Sequence, residues 1–493
     1  VAKAPKRAPA AAARRRLPAR AVDAARVVAG TRAVPDSTEA FVPALEWLGG
    51  EGSDPHAAAE RRAEGLLTAN TGLLRDLGVT ADVTRRHGEP CLRIHTSTRI
   101  GAVPLRSPVT GRPDFGLVVE PRFAWASAGD MLAGTGFRVV PDLLPLPDLP
   151  QSERRVPPWV LSSVVLLRLR ALLDSLQRRF AVTSAELRAP RGQVAWAQYA
   201  ATRFALGRCL DVPCRFPDLR DDEELRGAIH WVVRRHRDAL LGQRSAGLVV
   251  RRLIALCDAL LARVGGSTPR MPVSRQREGW SRRSVAPRVF LEGIQAIDWT
   301  VEERGLAGLS DLTGLAWRMD MEVFFEAWVE AVAEEASRRV GAQLRAGRRQ
   351  ETRVPLDWAP PSAGSQRSLV PDLVLQRDGV AVVLDAKYKR HAEEIERLGW
   401  AHTDERLREQ HRGDVLQALA YSTLFDAPRV VACLVYPASP TAWAGLVERG
   451  RTVTRARVRS GSRHVELALM AVPLSGEREA AAAAIERLVT DAA

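Results

Sequence analysis

The chain has 493 residues, 46% of them hydrophobic, which suits several packed domains and excludes a polypeptide disordered throughout. A formal net charge of +14 and a pI near 10.5 point to a polyanionic or acidic partner. Five cysteines without a CxxC pair argue against structural zinc, and the lack of an apolar run of membrane length or of a signal-peptide core argues against insertion and secretion, so a cytoplasmic location is expected.

Residues 1–35, which include APKRAPAAAARRRLPARA, are rich in Ala, Arg and Pro and carry no apolar stripe, so a mobile basic arm is expected there. Residues 36–150 read as an α+β unit: a helical stretch in AAAERRAEGLLTANTGLLRDLG, then short strand-like runs in CLRIHT, IGAVPL and FGLVVEP. A proline cluster, VVPDLLPLPDLPQSERRVPP, closes it. Residues 151–270 are predicted helical, because WVLSSVVLLRLRALLDSLQRRF, ELRGAIHWVVRRHRDALL and LVVRRLIALCDALLARVG repeat apolar residues at helical spacing. Their arginine pairs, Arg234-Arg235 and Arg251-Arg252, belong on solvated faces or against phosphates. The Gly/Ser/Pro/Arg-rich stretch that follows predicts a linker over 271–310.

Residues 311–493 form the last predicted domain. Its expected order is a helix around 315–342, a strand candidate in TRVPLDWA, two strands flanking Asp378-Gly379, a helix over 413–425, a buried strand in RVVACLVYP, two edge-like strands near 452–459 and 464–470, and a closing helix.

Within this domain the cations change character. Only four of the 72 basic residues are lysine, and two of those, Lys387 and Lys389, stand in SLVPDLVLQRDGVAVVLDAKYKR. Lysine is a compact point charge whose pKa moves on burial, unlike the arginine that the chain otherwise prefers. Asp378-Gly379 is a favoured two-residue hairpin turn, and it sets Arg377 opposite Val380 and Asp372 opposite Asp385. Two carboxylates facing each other at about 5 Å between Cβ atoms repel, so something positive must compensate them. Lys387, two residues beyond Asp385, lies on the same face. A hard divalent cation with oxygen ligands suits such a place.

Pro371-Asp372 followed by Asp385-Ala386-Lys387 resembles the PD-(D/E)xK nuclease motif, and its surroundings are similar to the McrC family of restriction proteins. MEVFFEAWV, residues 321–329, resembles the helix that opens that family's nuclease domain, with Glu326 as its glutamate. GDVLQALAYS, residues 413–422, resembles the helix after the motif lysine, with Asp414, Gln417 and Tyr421 in place. Similarity extends to IGAVPL, LVVEPRFAWASAGDMLAGTG, LRAPRGQVAW and CRFPDLRDDEELRGAI, with one departure: Pro121-Arg122 stands where the family tends to have Pro-Lys. The fold this implies is a multidomain α/β protein with an N-terminal α+β adaptor, a helical middle region and a C-terminal restriction-endonuclease-like PD-(D/E)xK core. The activity implied is Mg²⁺-dependent DNA hydrolysis, Mn²⁺ being a possible substitute, with Asp372, Asp385 and the Ala386 carbonyl on the metal. In that reading Lys387 and Gln417 act at the water and phosphate, Glu326 is a direct or water-mediated metal ligand, and Asp414 and Tyr421 support the site.

Each candidate has a plainer reading. The hairpin trio is otherwise a charged surface in which Lys387 pairs with one aspartate. Glu326 falls in a possible solvated acidic stripe with Glu322 and Glu330 at i, i+4 spacing, and Asp414, Gln417 and Tyr421 on an ordinary polar face. His391, His402 and His411 read as loop residues, solvated or facing DNA, rather than ligands. None of the four lysines follows a glycine, so no Walker loop is present and no bound nucleotide is expected. The resemblance then implies a separate AAA+ GTPase or ATPase subunit, docked on residues 36–270. The rival reading is a basic scaffold that joins a motor to DNA without cutting it, and an RNA substrate is not distinguished from DNA by these residues.

Overall fold

The computed structural model describes residues 30–491 except 145, 147–156, 177–178, 221, 244–246, 283–286, 303–314, 361–363, 390–404, 461–462 and 475–477. Most of the expected basic arm, much of the proline cluster and parts of the linker, His391 and His402 lie outside the described residues. The chain is a mixed α/β protein built on several sheets.

A five-stranded sheet begins the molecule, in the order Gly30–Pro35, Phe115–Glu120, Arg99–Leu105, Trp317–Asp320 and Asp142–Leu143. Its centre is apolar on both faces: six of the seven residues of Arg99–Leu105 and five of the six of Phe115–Glu120 are buried, as continuous apolar runs require. The strand Trp317–Asp320 reaches this sheet from within the 311–493 segment, pairing Trp317 with Ala102 and Asp320 with Arg99. A three-stranded antiparallel sheet, Glu39–Pro43, Glu89–Thr96 and Val79–Arg86, packs with the helix Pro55–Asp76 beside it.

Four helices, Pro158–Ser175, Glu223–Leu241, Leu248–Val264 and Arg288–Val301, pack on one another in the middle of the chain. Arg234, Arg235, Arg251 and Arg252 lie on their exposed faces, as the apolar period requires. His236 is buried between them, its ring nitrogens 3.2 Å from Ser162 Oγ and 3.1 Å from Thr300 Oγ1. The helical expectation for 151–270 is corrected in one place. Arg179–Leu187, Gln193–Val194 and Val212–Arg220 make a small antiparallel sheet between the first two of these helices. Alternation in FAVTSAEL and the proline at Pro217 favour strand over helix there. The expected linker over 271–310 is corrected as well, since its described residues hold the helix Ser274–Ser281, anchored by buried Trp280, and Arg288–Val301, one of the four packed helices.

The last sheet has six strands in the order Gln343–Ala346, Leu373–Arg377, Val380–Ala386, Arg429–Ala438, Arg463–Pro473 and Val453–Ser460. Its first pairs are antiparallel, the two central pairs parallel and the last antiparallel. Of the two strands expected at an edge, Val453–Ser460 is one, while Arg463–Pro473 lies inside the sheet. TRVPLDWA yields only the two-residue strand Val354–Pro355. The helix Met321–Val340 starts directly from the N-terminal sheet, where Asp320 caps it by accepting from the amides of Glu322 and Val323. It ends at Gly341, whose φ of 70° suits a left-handed stop. The helices Glu405–Ser422 and Arg478–Thr490 also pack against this sheet. One apolar core runs from Val34 to Val489, so the N-terminal and C-terminal sheets are fastened together by buried side chains.

Candidate active site

The hairpin that carries the motif is set by its turn. Asp378 and Gly379 both have positive φ, 46° and 77°, the combination a two-residue primed turn demands and one that glycine and aspartate tolerate. Arg377 faces Val380 and Leu373 faces Leu384, and this register brings Asp372 opposite Asp385. Asp372 Oδ2 accepts from the Ala386 amide at 2.8 Å, which ties the two strand ends together.

Charge at this place is unbalanced. Asp385 is 2% exposed, and Lys387 Nζ lies 2.8 Å from its Oδ2 without a donor aligned for a hydrogen bond. Burial, then Asp385 and Glu326, push the Asp372 carboxyl up to about 8. Burial raises Asp385 as well, opposed by Lys387. Burial alone draws the Lys387 ammonium down, yet Asp385, Asp372 and Asp414 outweigh it and hold its pKa above the ordinary value. Lys387 is therefore a cation in this arrangement.

The helices supply the rest. Glu326 is half-buried, and burial raises its carboxyl while Arg348 opposes. Its neighbours on the same helix differ: Glu322 is exposed, whereas Glu330 is buried and held by Arg349 at 2.7 Å, Arg348 at 3.5 Å and Arg138 at 3.5 Å. The face is thus no solvated stripe. From Glu405–Ser422, Gln417 Oε1 accepts from Lys387 Nζ at 2.9 Å, and Gln417 Nε2 donates to Tyr421 Oη at 2.9 Å. Asp414 is placed differently from its helix neighbours. It accepts from Lys389 Nζ at 2.7 and 2.9 Å, and Tyr436 Oη donates to it at 3.4 Å. His411 Nδ1 lies 3.2 Å from the same hydroxyl.

Lys389, Tyr436, Asp36 and Arg122 were not among the sequence-predicted residues. Lys389 had a signal, since it shares the sparse lysines with Lys387. Arg122 donates from Nη2 to the Tyr388 carbonyl at 3.0 Å, a link across 266 positions that no local pattern announces.

A divalent cation fits this donor set in one way. Among the described residues no group of three or more His, Cys, Asp or Glu side chains is gathered to hold a metal. Asp372 and Asp385 present two hard carboxylates beside a strand-end carbonyl at Ala386, and burial holds both carboxyls above their ordinary range even with the Lys387 ammonium beside them. Such a set suits Mg²⁺, which binds through one or two carboxylates and otherwise keeps water and phosphate oxygens.

Residues 307–437 match the family model described as McrBC 5-methylcytosine restriction system component, a stretch containing every sequence-predicted site residue. None of the curated proteins matches. Among solved structures, the chain is similar to a half-complex from the tetradecameric assembly of Thermococcus gammatolerans McrB AAA+ hexamers with bound McrC. There the TM-score is 0.42 with 13% identity, covering 93% of this chain and 100% of that one. The cryo-EM structure of the Thermococcus gammatolerans McrBC complex gives 0.25 with 12% identity, covering 62% and 88%. Both scores fall below 0.5, so the family match carries the likeness.

Proposed function

We propose, from the premise that the chain is McrC-like, that it is the DNA-cutting subunit of a restriction or anti-phage defence complex and hydrolyses phosphodiesters with Mg²⁺ on a PD-(D/E)xK core. The observation that carries this reading is the facing pair Asp372 and Asp385 with the Lys387 ammonium against them. Supporting it, the six-stranded sheet sets the motif hairpin antiparallel beside a parallel pair, with helices carrying Glu326 and Gln417 packed against it.

Asp372, Asp385 and the Ala386 carbonyl would hold Mg²⁺, or Mn²⁺ in its place. When bound, the ion polarises the phosphoryl oxygen and lowers the pKa of the attacking water. Lys387, kept cationic by its neighbours, donates toward the phosphate and offsets the negative charge that grows in the transition state. Gln417 holds that ammonium by its carbonyl, and Tyr421 fixes the Gln417 amide in turn. Glu326, with its carboxyl raised by burial, orients water on the helix side. The products are a 5′-phosphate and a 3′-hydroxyl.

A motor partner follows from the family and from the lysines. The matching family is a component of a restriction system, and this chain has no Gly-Lys pair for a Walker loop. A separate AAA+ NTPase would therefore control cutting. DNA is the substrate in this reading, met by the basic surface that a net charge of +14 provides.

Plasmid nicking with Mg²⁺, with and without EDTA and an AAA+ partner, tests the proposal. Cutting that needs Mg²⁺ and disappears in Lys387→Ala supports it. DNA retention without product under every metal and partner tried returns the chain to the non-cleaving scaffold.

A further inference from the structure

The segment that carries the motif lysine is gripped from outside its own sheet. The side chain of Arg122, two residues past the strand Phe115–Glu120, is 3% exposed, and Asp36, just past Gly30–Pro35, is fully buried. The Arg122 amide donates to Asp36 Oδ1 at 2.6 Å, and Arg122 Nε lies 3.9 Å from Asp36 Oδ2. Asp36 is itself fixed, since its amide donates to the Glu120 carbonyl at 2.9 Å.

This pair ends on Tyr388, the residue between the two internal lysines. Arg122 Nη2 donates to the Tyr388 carbonyl at 3.0 Å, and the guanidinium sits 4.3 Å from the centre of the Tyr388 ring. Phe123 meets the same ring edge-on at 5.9 Å, and Phe325, the neighbour of Glu326, lies 6.0 Å from it. On the backbone, the Lys387 amide donates to the Val435 carbonyl and the Lys389 amide to the Lys387 carbonyl. The Tyr388 peptide is thus held from the N-terminal sheet just where the chain leaves its strand.

A buried ion pair is a poor source of net stability, because desolvation consumes most of its Coulomb energy. Its geometric value is greater: a planar guanidinium can fix a carbonyl and a ring face together. We infer that Arg122 is a positioning residue for the hydrolytic site, holding Tyr388 so that Lys387 stays against Asp385 and Gln417 and Lys389 against Asp414. The inference rests on the nuclease reading for its catalytic consequence, though not for the grip on the segment. It also makes the N-terminal sheet part of the site, because the helix bearing Glu326 starts from that sheet at Asp320.

The test uses the full chain and the double variant Asp36→Asn/Arg122→Met, which removes the grip without stranding a buried charge. Amide hydrogen exchange at Lys387 and Lys389 is expected to quicken by about 10-fold or more, while the sheet strands keep their protection. With plasmid and Mg²⁺, kcat is expected to fall by about 100-fold at unchanged KM, as a slightly misplaced catalytic group requires. Arg122→Lys, which keeps a donor and a cation beside the ring, should recover most of that loss. Unchanged exchange and unchanged kcat in the double variant would overturn the inference while leaving the nuclease reading intact. Faster exchange in the variant, with an unaltered chain that never cuts, would sink the nuclease reading and leave the grip standing. If the double variant does not fold, Arg122→Met alone, in which Asp36 still accepts the backbone amide at that position, should show the same quickening at Lys387 and Lys389, and unchanged exchange would refute the grip.

Discussion

The two large sheets bury charge in opposite ways. At the edge of the N-terminal sheet, Asp36 and Arg122 are matched one to one. At the motif hairpin of the C-terminal sheet, Asp372 and Asp385, with Glu326 nearby, outnumber Lys387; burial raises these carboxyls as it raises Asp36, and at Asp372 and Glu326 repulsion from neighbouring carboxylates adds to it. A matched pair fixes geometry, whereas an unmatched one stores a demand for a further cation. The same contrast recurs two residues on, where Lys389 and Asp414 satisfy each other next to a site that does not close its own charge.

If the unmatched cluster is the chemical centre, Asp385→Ala or Lys387→Ala should lower DNA cleavage by about 1,000-fold or more in a nicking assay while circular dichroism stays unchanged. Breaking the matched pair should do the reverse. Asp36→Ala leaves Arg122 buried without its carboxylate and is expected to cost about 3–5 kcal/mol in a denaturant titration.

The helical layer supplies a third kind of buried polar group, one kept neutral. Burial first, and Arg235 second, push His236 down to about 3. Its folded pKa is below the unfolded value, so the unfolded chain binds more protons between the two, and stability falls as pH drops below about 6.5. By pH 5 the loss should reach about 2 kcal/mol in urea melts. His236→Gln should flatten that acid dependence.

The smallest effect runs against intuition. Asp372→Asn removes one of the repelling carboxylates but keeps an oxygen for the Ala386 amide, so without Mg²⁺ near pH 8 the variant should be stabilised by about 1 kcal/mol. Thermal melts with and without Mg²⁺ would show this, and the variant should no longer cut.

What the sequence disclosed follows the range of the forces involved. Asp378-Gly379 fixes the hairpin by local backbone chemistry, so the facing of Asp372 and Asp385 is legible from a dipeptide and a count. Gln417 and Tyr421 are legible from helical spacing, yet the same spacing groups Asp414 with them, and only the fold shows that Lys389 claims it. Trp317–Asp320 falls at the start of the expected 315–342 helix but is a strand, because its partner, Arg99–Leu105, lies more than two hundred positions away. The sheet inside the middle region was hidden by the strong helical period on either side of it. Arg122 stood out only as an arginine where the McrC resemblance suggests lysine, and nothing local ties it to Tyr388.

The most direct measurement is a crystal structure soaked in Mn²⁺, read by anomalous scattering. One strong peak is expected between Asp372 and Asp385, about 2.2 Å from an oxygen of each and near the Ala386 carbonyl, lost in Asp372→Asn. Manganese bound elsewhere with that place empty, or the two carboxylates turned to opposite faces of the hairpin, would contradict it.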